Sequence, residues 1–151
     1  FKSVVSVNLF GIAHGFKALV PIMRMQGHGT IAGVSSLADI RGYPGSASYC
    51  TSKAAASTFL ESARVELKQY GIHVATVRPG FVRTPMTDKN EFDMPLLWEP
   101  DKAARVIREK LERGKRVVQF PWQLVIGTRI VRDLPRWLFE RLASRARNQK
   151  K

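Results

Sequence analysis

The stretch SSLADIRGYPGSASYCTSK, residues 35–53, places a serine, a tyrosine and a lysine at spacings that suit one proton-transfer centre. Tyr49 and Lys53 are four residues apart, so on a helix their side chains lie on one face, where an ammonium favours a phenolate. Residues 44–46, PGS, precede an alanine-rich run, which predicts a helix start with Tyr49 in the first turn, at the positive end of the helix dipole. The pattern indicates acid/base chemistry.

Strands and helices alternate on both sides of this stretch. Apolar runs predict strands at residues 30–35, 73–78 and 116–120, and helical signals predict helices at 3–25, 46–70 and 101–113. Such alternation predicts βαβ units, an α/β fold and a parallel sheet. The runs IAGV and VATV are apolar enough for strands that are covered on both faces.

Further motifs stand in a recognisable order around Tyr49. Ser36, thirteen residues upstream, completes the pattern S-x12-Y-x3-K with Lys53. With VNLFG around Asn8, the strand GTIAGVSS, and GIHVATVRPGFVRT with its P-G-x-V-x-T loop, the chain resembles the classical short-chain dehydrogenase/reductase family. The resemblance covers residues 8–84. It implies a partial Rossmann-like, doubly wound parallel sheet, the C-terminal half of that fold, with helices on both faces.

The resemblance also implies roles for single residues. Tyr49 would be the general acid/base of hydride transfer between a carbonyl and an alcohol, and Lys53 would assist it and bind the nicotinamide ribose. Ser36 would hold the substrate oxygen, and Asn8 would hold a water of the proton relay. Four loop residues would line the nicotinamide of NAD or NADP: Pro79, Gly80, Val82 and Thr84. The implied activity is that of an NAD(P)-dependent oxidoreductase.

The N-terminal end of the sequence departs from the family pattern. The glycine-rich phosphate turn and the N-N-A-G strand, which precede the asparagine in the family, are both missing from the sequence. A Rossmann site holds the pyrophosphate at that turn and at the helix N-terminus after it. We therefore expect residues 1–120 to be the catalytic half of a longer enzyme, inactive alone, and residues 121–151 to be a helical extension.

Residues 85–99, PMTDKNEFDMPLLWE, stand where the resembling enzymes carry a mobile lid over the substrate. Apolar side chains in this segment, among them Met86, Phe92 and Trp98, are candidates for contact with an apolar carbonyl or alcohol substrate. Equally, they can pack the loop against the domain. The sequence leaves both readings open.

Composition narrows the function classes. With a single cysteine the chain cannot form an intramolecular disulfide, and no signal peptide is visible, so we expect a reducing, cytoplasmic location. The three histidines lack partners at ligand spacing, so we expect no metal site. The net charge is +13, yet zinc-finger, helix-turn-helix and RNA-binding patterns are missing, which argues against a nucleic-acid partner.

The first predicted helix is apolar on nearly all sides. Asn8, His14, Lys17 and Pro21 interrupt the apolar stretch, so it falls short of the roughly 20 apolar residues that a membrane span needs. We therefore expect burial against the sheet and a partner subunit. The resemblance implies a homodimer or homotetramer built through the helices at 3–25 and 46–70.

Residues 121–151 are basic and amphipathic, and they are the part least like the family core. Eight arginines and lysines alternate with apolar residues, and Pro135 divides the run into two helices. Such helices can lie on an anionic membrane surface, or they can close over the substrate pocket or a partner subunit. The charges do not separate cleanly onto one face, which favours the second reading.

Three function classes follow from these observations. The first is a nicotinamide-dependent oxidoreductase, the second a non-catalytic oligomerisation module that retains the fold, and the third a basic membrane-surface or nucleic-acid binder. A module that only assembles has no need of the complete set of asparagine, serine, tyrosine and lysine. That set favours the enzyme.

Overall fold

The computed structural model describes residues 1–89 and 93–148. The strands are β1, Gly29–Val34, β2, Ile72–Pro79, and β3, Val117–Phe120. The helices are α1, Lys2–Val5, α2, Gly11–Gln26, α3, Ala47–Leu67, α4, Pro100–Glu112, α5, Trp122–Asp133, and α6, Arg136–Asn148. A π-helical turn, Ser6–Phe10, joins α1 to α2 without a break. Phe92, named above as a candidate for substrate contact, lies outside this description, and so do the last three residues of the basic segment, 149–151.

The strands form one parallel sheet in the order β1-β2-β3. Ala32 lies opposite Ala75, and Val77 lies opposite Val118. The crossover from β1 to β2 contains α3, and the crossover from β2 to β3 contains α4. The predicted α/β fold with a parallel sheet is confirmed, and its strands and helices begin and end within a few residues of the predicted positions.

Helices cover both faces of the sheet, as predicted. On one face Phe16 of α2 and Leu60 of α3 pack with Val74 of β2 in a buried cluster. On the other face a second cluster joins Ala103 of α4 to the two neighbouring strands, through Val77, Val118 and Phe120. β2 thus contributes buried residues to both clusters, and β3 contributes to the second.

The prediction that both apolar strands are covered on two faces is right for β2 and wrong for β1. The β2 residues from Val74 to Val77 are at most 3% exposed. In β1, Ile31 and Gly33 are buried, whereas Ala32 and Val34 are exposed. The cause is the position of α4, which packs on β2 and β3 and leaves β1 open on that face.

The first helix also departs from expectation. Lys2–Gln26 is a helix of 25 residues, the one helix in the described part of the chain that is long and apolar enough, by length and composition alone, to cross a membrane. The argument that it falls short on length was wrong, because the four interruptions do not lower the mean hydropathy of the helix enough. Phe16 is its one buried residue among those described, so the sheet covers less of it than expected.

The exposed face of this helix predicts self-association. Phe10 is 53% exposed and Val65, on the outer side of α3, is 74% exposed. We expect the double variant Phe10→Ser/Val65→Ser to shift the protein toward smaller species in analytical ultracentrifugation, because it removes apolar area from the proposed interface. Met86→Ser, which changes an exposed apolar residue on a loop, serves as the control. A wild-type protein that sediments as a monomer would refute the interface.

Candidate active site

The carboxyl ends of β1 and β2 bring the predicted site residues to one edge of the sheet. Ser35 and Ser36 follow β1, and Gly80 follows β2. The amide of Ser35 donates to the Val77 carbonyl at 2.7 Å, which ties the end of β1 to the neighbouring strand. In open parallel sheets this edge is where ligands bind, so the fold places these residues where a binding site is expected.

Tyr49 and Lys53 lie on the first turns of α3, as predicted. Tyr49 is the third residue of the helix, and the Lys53 Nζ lies 5.7 Å from the centre of its ring. The Lys53 Nζ donates to the Val34 carbonyl at 3.0 Å, and the residue is 8% exposed. Burial lowers the pKa of the Lys53 ammonium. An ammonium has three donors, so it can hold this carbonyl and a ligand hydroxyl together.

Asn8 is joined to the tyrosine helix through one hydroxyl. Its Nδ2 donates to Ser52 Oγ at 3.0 Å, and Ser52 Oγ donates to the Tyr49 carbonyl at 2.8 Å. Asn8 lies within the π-helical turn, a local widening that is common at functional sites. The sequence interpretation missed Ser52. Its position three residues after Tyr49, on the same side of a helix, was the available signal.

Ser36 is positioned by a short turn. It is the N-cap of a 3₁₀ turn at Leu37–Asp39, and its Oγ accepts the amide of Ala38 at 3.1 Å. The residue is 8% exposed. A hydroxyl that accepts one bond can still donate another. Ser36 can therefore donate to a substrate oxygen from a fixed position.

A buried polar network underlies the site and was missed from the sequence. The Asp39 side chain is 3% exposed; it forms an ion pair with Arg78 and accepts from the Ser57 hydroxyl. Ser35 Oγ donates to the Lys53 carbonyl at 2.9 Å and lies 3.4 Å from Asp39 Oδ2. The network thus links the serine loop, the helix that carries Lys53, and the end of β2. The local signals in the sequence were two spacings of four positions, from Lys53 to Ser57 on the helix and from Ser35 to Asp39.

The loop after β2 is held by α5 and by an internal turn. A Cβ on Gly80 would lie 2.7 Å from Leu124 Cδ1 and 3.0 Å from Pro121 Cδ, so glycine permits α5 to pack closely here. The Thr84 amide donates to Thr87 Oγ1 at 2.8 Å, and Thr87 Oγ1 donates to the Val82 carbonyl at 3.0 Å. The nicotinamide contacts of Pro79, Gly80, Val82 and Thr84 stay a prediction.

Of the three lid residues named as candidates for substrate contact, Met86 and Trp98 lie in the described part of the chain, and their surroundings differ. The Trp98 ring stacks on the Phe120 ring with centroids 4.9 Å apart, and the Trp98 amide donates to the Phe81 carbonyl at 3.0 Å. Met86 is 71% exposed. The structure therefore packs Trp98 against the domain and leaves Met86 accessible. Substrate contact by either residue stays a prediction.

The C-terminal helices contact the loop that precedes the tyrosine helix. The guanidinium of Arg41 donates to the Arg132 carbonyl at 2.8 Å and to the Leu134 carbonyl. It also lies 5.0 Å from the centre of the Phe139 ring, which meets the Tyr43 ring edge to face at 6.1 Å. The corner between α5 and α6 is thereby joined to the loop between Ser36 and Tyr49.

Comparisons with known proteins agree on one family. The family model described as short chain dehydrogenase matches residues 1–94. An uncharacterized oxidoreductase of Myxococcus xanthus is 41% identical over 146 residues, 97% of this chain and 58% of that protein. The 3-oxoacyl-(acyl-carrier-protein) reductase of Thermotoga maritima is 40% identical over 115 residues, 76% of this chain and 43% of that protein.

A solved structure gives the same result. A short chain dehydrogenase from Burkholderia cenocepacia, in complex with NADP, is 28% identical, with a TM-score of 0.78 over 91% of this chain and 56% of that one. The chain spans about half the length of the curated relatives it matches. The implied Rossmann-like fold with helices on both faces is confirmed.

The buried ion pair yields a stability prediction. Asp39→Asn removes the charge that compensates Arg78, whose side chain is 20% exposed, and should lower the free energy of unfolding by about 3 kcal/mol. The control is Glu112→Gln, which removes one partner of an ion pair on the surface: the Glu112 side chain is 67% exposed and that of Arg108 is 73% exposed. This change should lower the free energy of unfolding by less than about 1 kcal/mol. Urea unfolding of both variants measures the difference. Equal losses would show that the network does not stabilise the site.

Proposed function

The chain belongs to the short-chain dehydrogenase family, and on that premise we propose that it is the catalytic half of an NAD(P)-dependent oxidoreductase that interconverts a carbonyl and an alcohol. The observation that carries the proposal is the Lys53 ammonium, buried between the end of β1 and the Tyr49 ring. A buried lysine does not contribute to solubility or to surface ion pairs, so its burial needs another explanation. Its position suits the support of a proton-transferring tyrosine.

The residues present fit the nicotinamide end of a dinucleotide. Lys53 has donors to spare for a ribose hydroxyl, and it lies at the sheet edge where such ligands bind. The Burkholderia cenocepacia enzyme of the same fold was solved with NADP, which supports NAD or NADP here. A bound nicotinamide would supply the hydride for reduction or accept it in oxidation.

The chain's own residues would manage the substrate oxygen and its proton. Ser36 donates a hydrogen bond to the carbonyl oxygen and orients it. The Tyr49 hydroxyl gives its proton to that oxygen as negative charge develops, and it recovers the proton in the reverse direction. The Asn8 side chain, bonded through Ser52 to the first turn of α3, fixes the tyrosine helix against the first helix.

We further propose that the full enzyme acts on a small carbonyl or alcohol compound as a homodimer or homotetramer in the cytoplasm. The apolar outer surface of the first helix, with Phe10 and Met25 exposed, supports assembly through this helix and α3. The ultracentrifugation experiment given with the fold tests this assembly.

The tyrosine assignment predicts a large kinetic effect with little structural change. In the full-length protein, Tyr49→Phe should lower kcat for carbonyl reduction by about 100- to 10,000-fold, because the ring stays and the transferable proton is lost. Tyr70→Phe, which keeps the ring that stacks under Arg24 away from the site, should leave kcat unchanged. Steady-state assays with NADH and NADPH measure both. Wild-type turnover by Tyr49→Phe would overturn the assignment.

The expected inactivity of the chain alone is tested by cofactor binding. Its sequence has no glycine-rich phosphate turn. Among the described strands, β1 has a neighbour, β2, on one side and none on the other. A groove of about 330 Å³ lies between β1 and the first helix. We expect calorimetry to show no binding of NADH or NADPH at micromolar concentration by the 151-residue chain, while the full-length protein binds. Micromolar affinity in the chain would place the pyrophosphate site within it.

A further inference from the structure

The helix α5 has two apolar faces, and only one of them is packed. On the inner face Val125 is 9% exposed, and Leu124 contacts the Gly80 position. On the outer face Trp122, Ile126 and Ile130 are 68%, 47% and 60% exposed. These three residues recur every fourth position, so they form a stripe within an arc of about 80° around the helix.

The stripe lies opposite the packed face. At about 100° per residue, its centre is roughly 150° around the helix from the centre of the face that holds Leu124, Val125 and Thr128. A helix that only covers the domain needs polar residues at such positions. The next helix, α6, repeats the feature with Trp137, which is 65% exposed. Two tryptophans and two isoleucines of this helix pair are thus exposed to solvent.

Exposed arginines are interspersed with these apolar side chains along both helices. Arg129 and Arg132 lie on α5, and Arg136 and Arg141 lie on α6, all of them exposed. Of the two acidic residues of this segment, Asp133 is already paired with Arg132 at 2.8 Å. The pair of helices therefore combines exposed aromatic and aliphatic groups with a net positive charge.

We propose that the outer face of α5 and α6 binds the surface of an anionic lipid bilayer. Apolar side chains that enter the boundary between headgroups and acyl chains, with arginines at the headgroups, are the two attractions that hold interfacial helices. Tryptophan suits this boundary, because its ring is apolar and its N–H is polar. A second copy of this chain would bring equal positive charge to the same face, which disfavours self-association there.

The proposal does not depend on the catalytic assignment, because it concerns the opposite side of α5. The inner side stays packed on the loop after β2, and the corner between the helices stays bonded to Arg41. Docking therefore needs no unfolding of the helix pair. A membrane would meet a surface that is already formed.

Co-sedimentation of the full-length protein with vesicles tests the proposal. We expect binding to vesicles of phosphatidylcholine with phosphatidylserine, weakening as salt rises, and little binding to phosphatidylcholine alone. Trp122→Ser/Ile126→Ser/Ile130→Ser should abolish it. Arg129→Gln/Arg136→Gln/Arg141→Gln should weaken it by about fivefold per arginine, roughly a hundredfold in total.

A matched control separates this surface from general basicity. Arg105→Gln/Arg113→Gln/Lys115→Gln removes three exposed positive charges at and after α4, and it should leave vesicle binding within a few fold of wild type. Equal loss in both charge variants, or no binding of the wild type at low salt, would overturn the proposal. So would an apolar variant that changes the oligomeric state in light scattering while vesicle binding persists, because the stripe would then be a protein interface.

Discussion

The burial of the Lys53 ammonium at the end of β1 is the interaction on which the site depends. A buried charge is costly unless polar groups surround it. Here the Val34 carbonyl accepts from Nζ, and the Tyr49 ring lies 5.7 Å away. Burial lowers the pKa of this ammonium, so the folded protein holds its charge less readily than the unfolded chain. The fold accepts this cost beside the residue proposed to transfer a proton.

The parallel sheet explains why such a site can be assembled from distant segments. Neighbouring parallel strands end at the same edge, so residues that follow β1 and β2 meet without any further constraint. The Asp39–Arg78 ion pair then fixes the two strand ends to each other, and Ser35 fixes the first of them to α3 through the Lys53 carbonyl. Removal of one side chain from this network should therefore loosen both the loop at Ser35 and Ser36 and the first turns of α3.

The sequence predicted those features that depend on local patterns. Helix starts, apolar runs and the spacing of Tyr49 from Lys53 are local, and the elements were found within a few residues of their predicted ends. The predictions were wrong about how far β1 and the first helix are buried, because burial depends on which distant segments of the chain pack against them. Asp39 meets Arg78 from 39 residues away, a contact that no periodicity encodes. The roles of the site residues rest on the family pattern.

The C-terminal helices show how two readings of one sequence can both hold. From composition alone, a cover over the active site and a membrane-binding helix are alternatives, because apolar residues and arginines look intermixed along the segment. In three dimensions the apolar residues divide between two faces of α5: Leu124 and Val125 pack inward, and Trp122, Ile126 and Ile130 face outward. A helix of 12 residues has enough surface for both sets. The inner face can thus hold the loop after β2 in place while the outer face remains available to a bilayer.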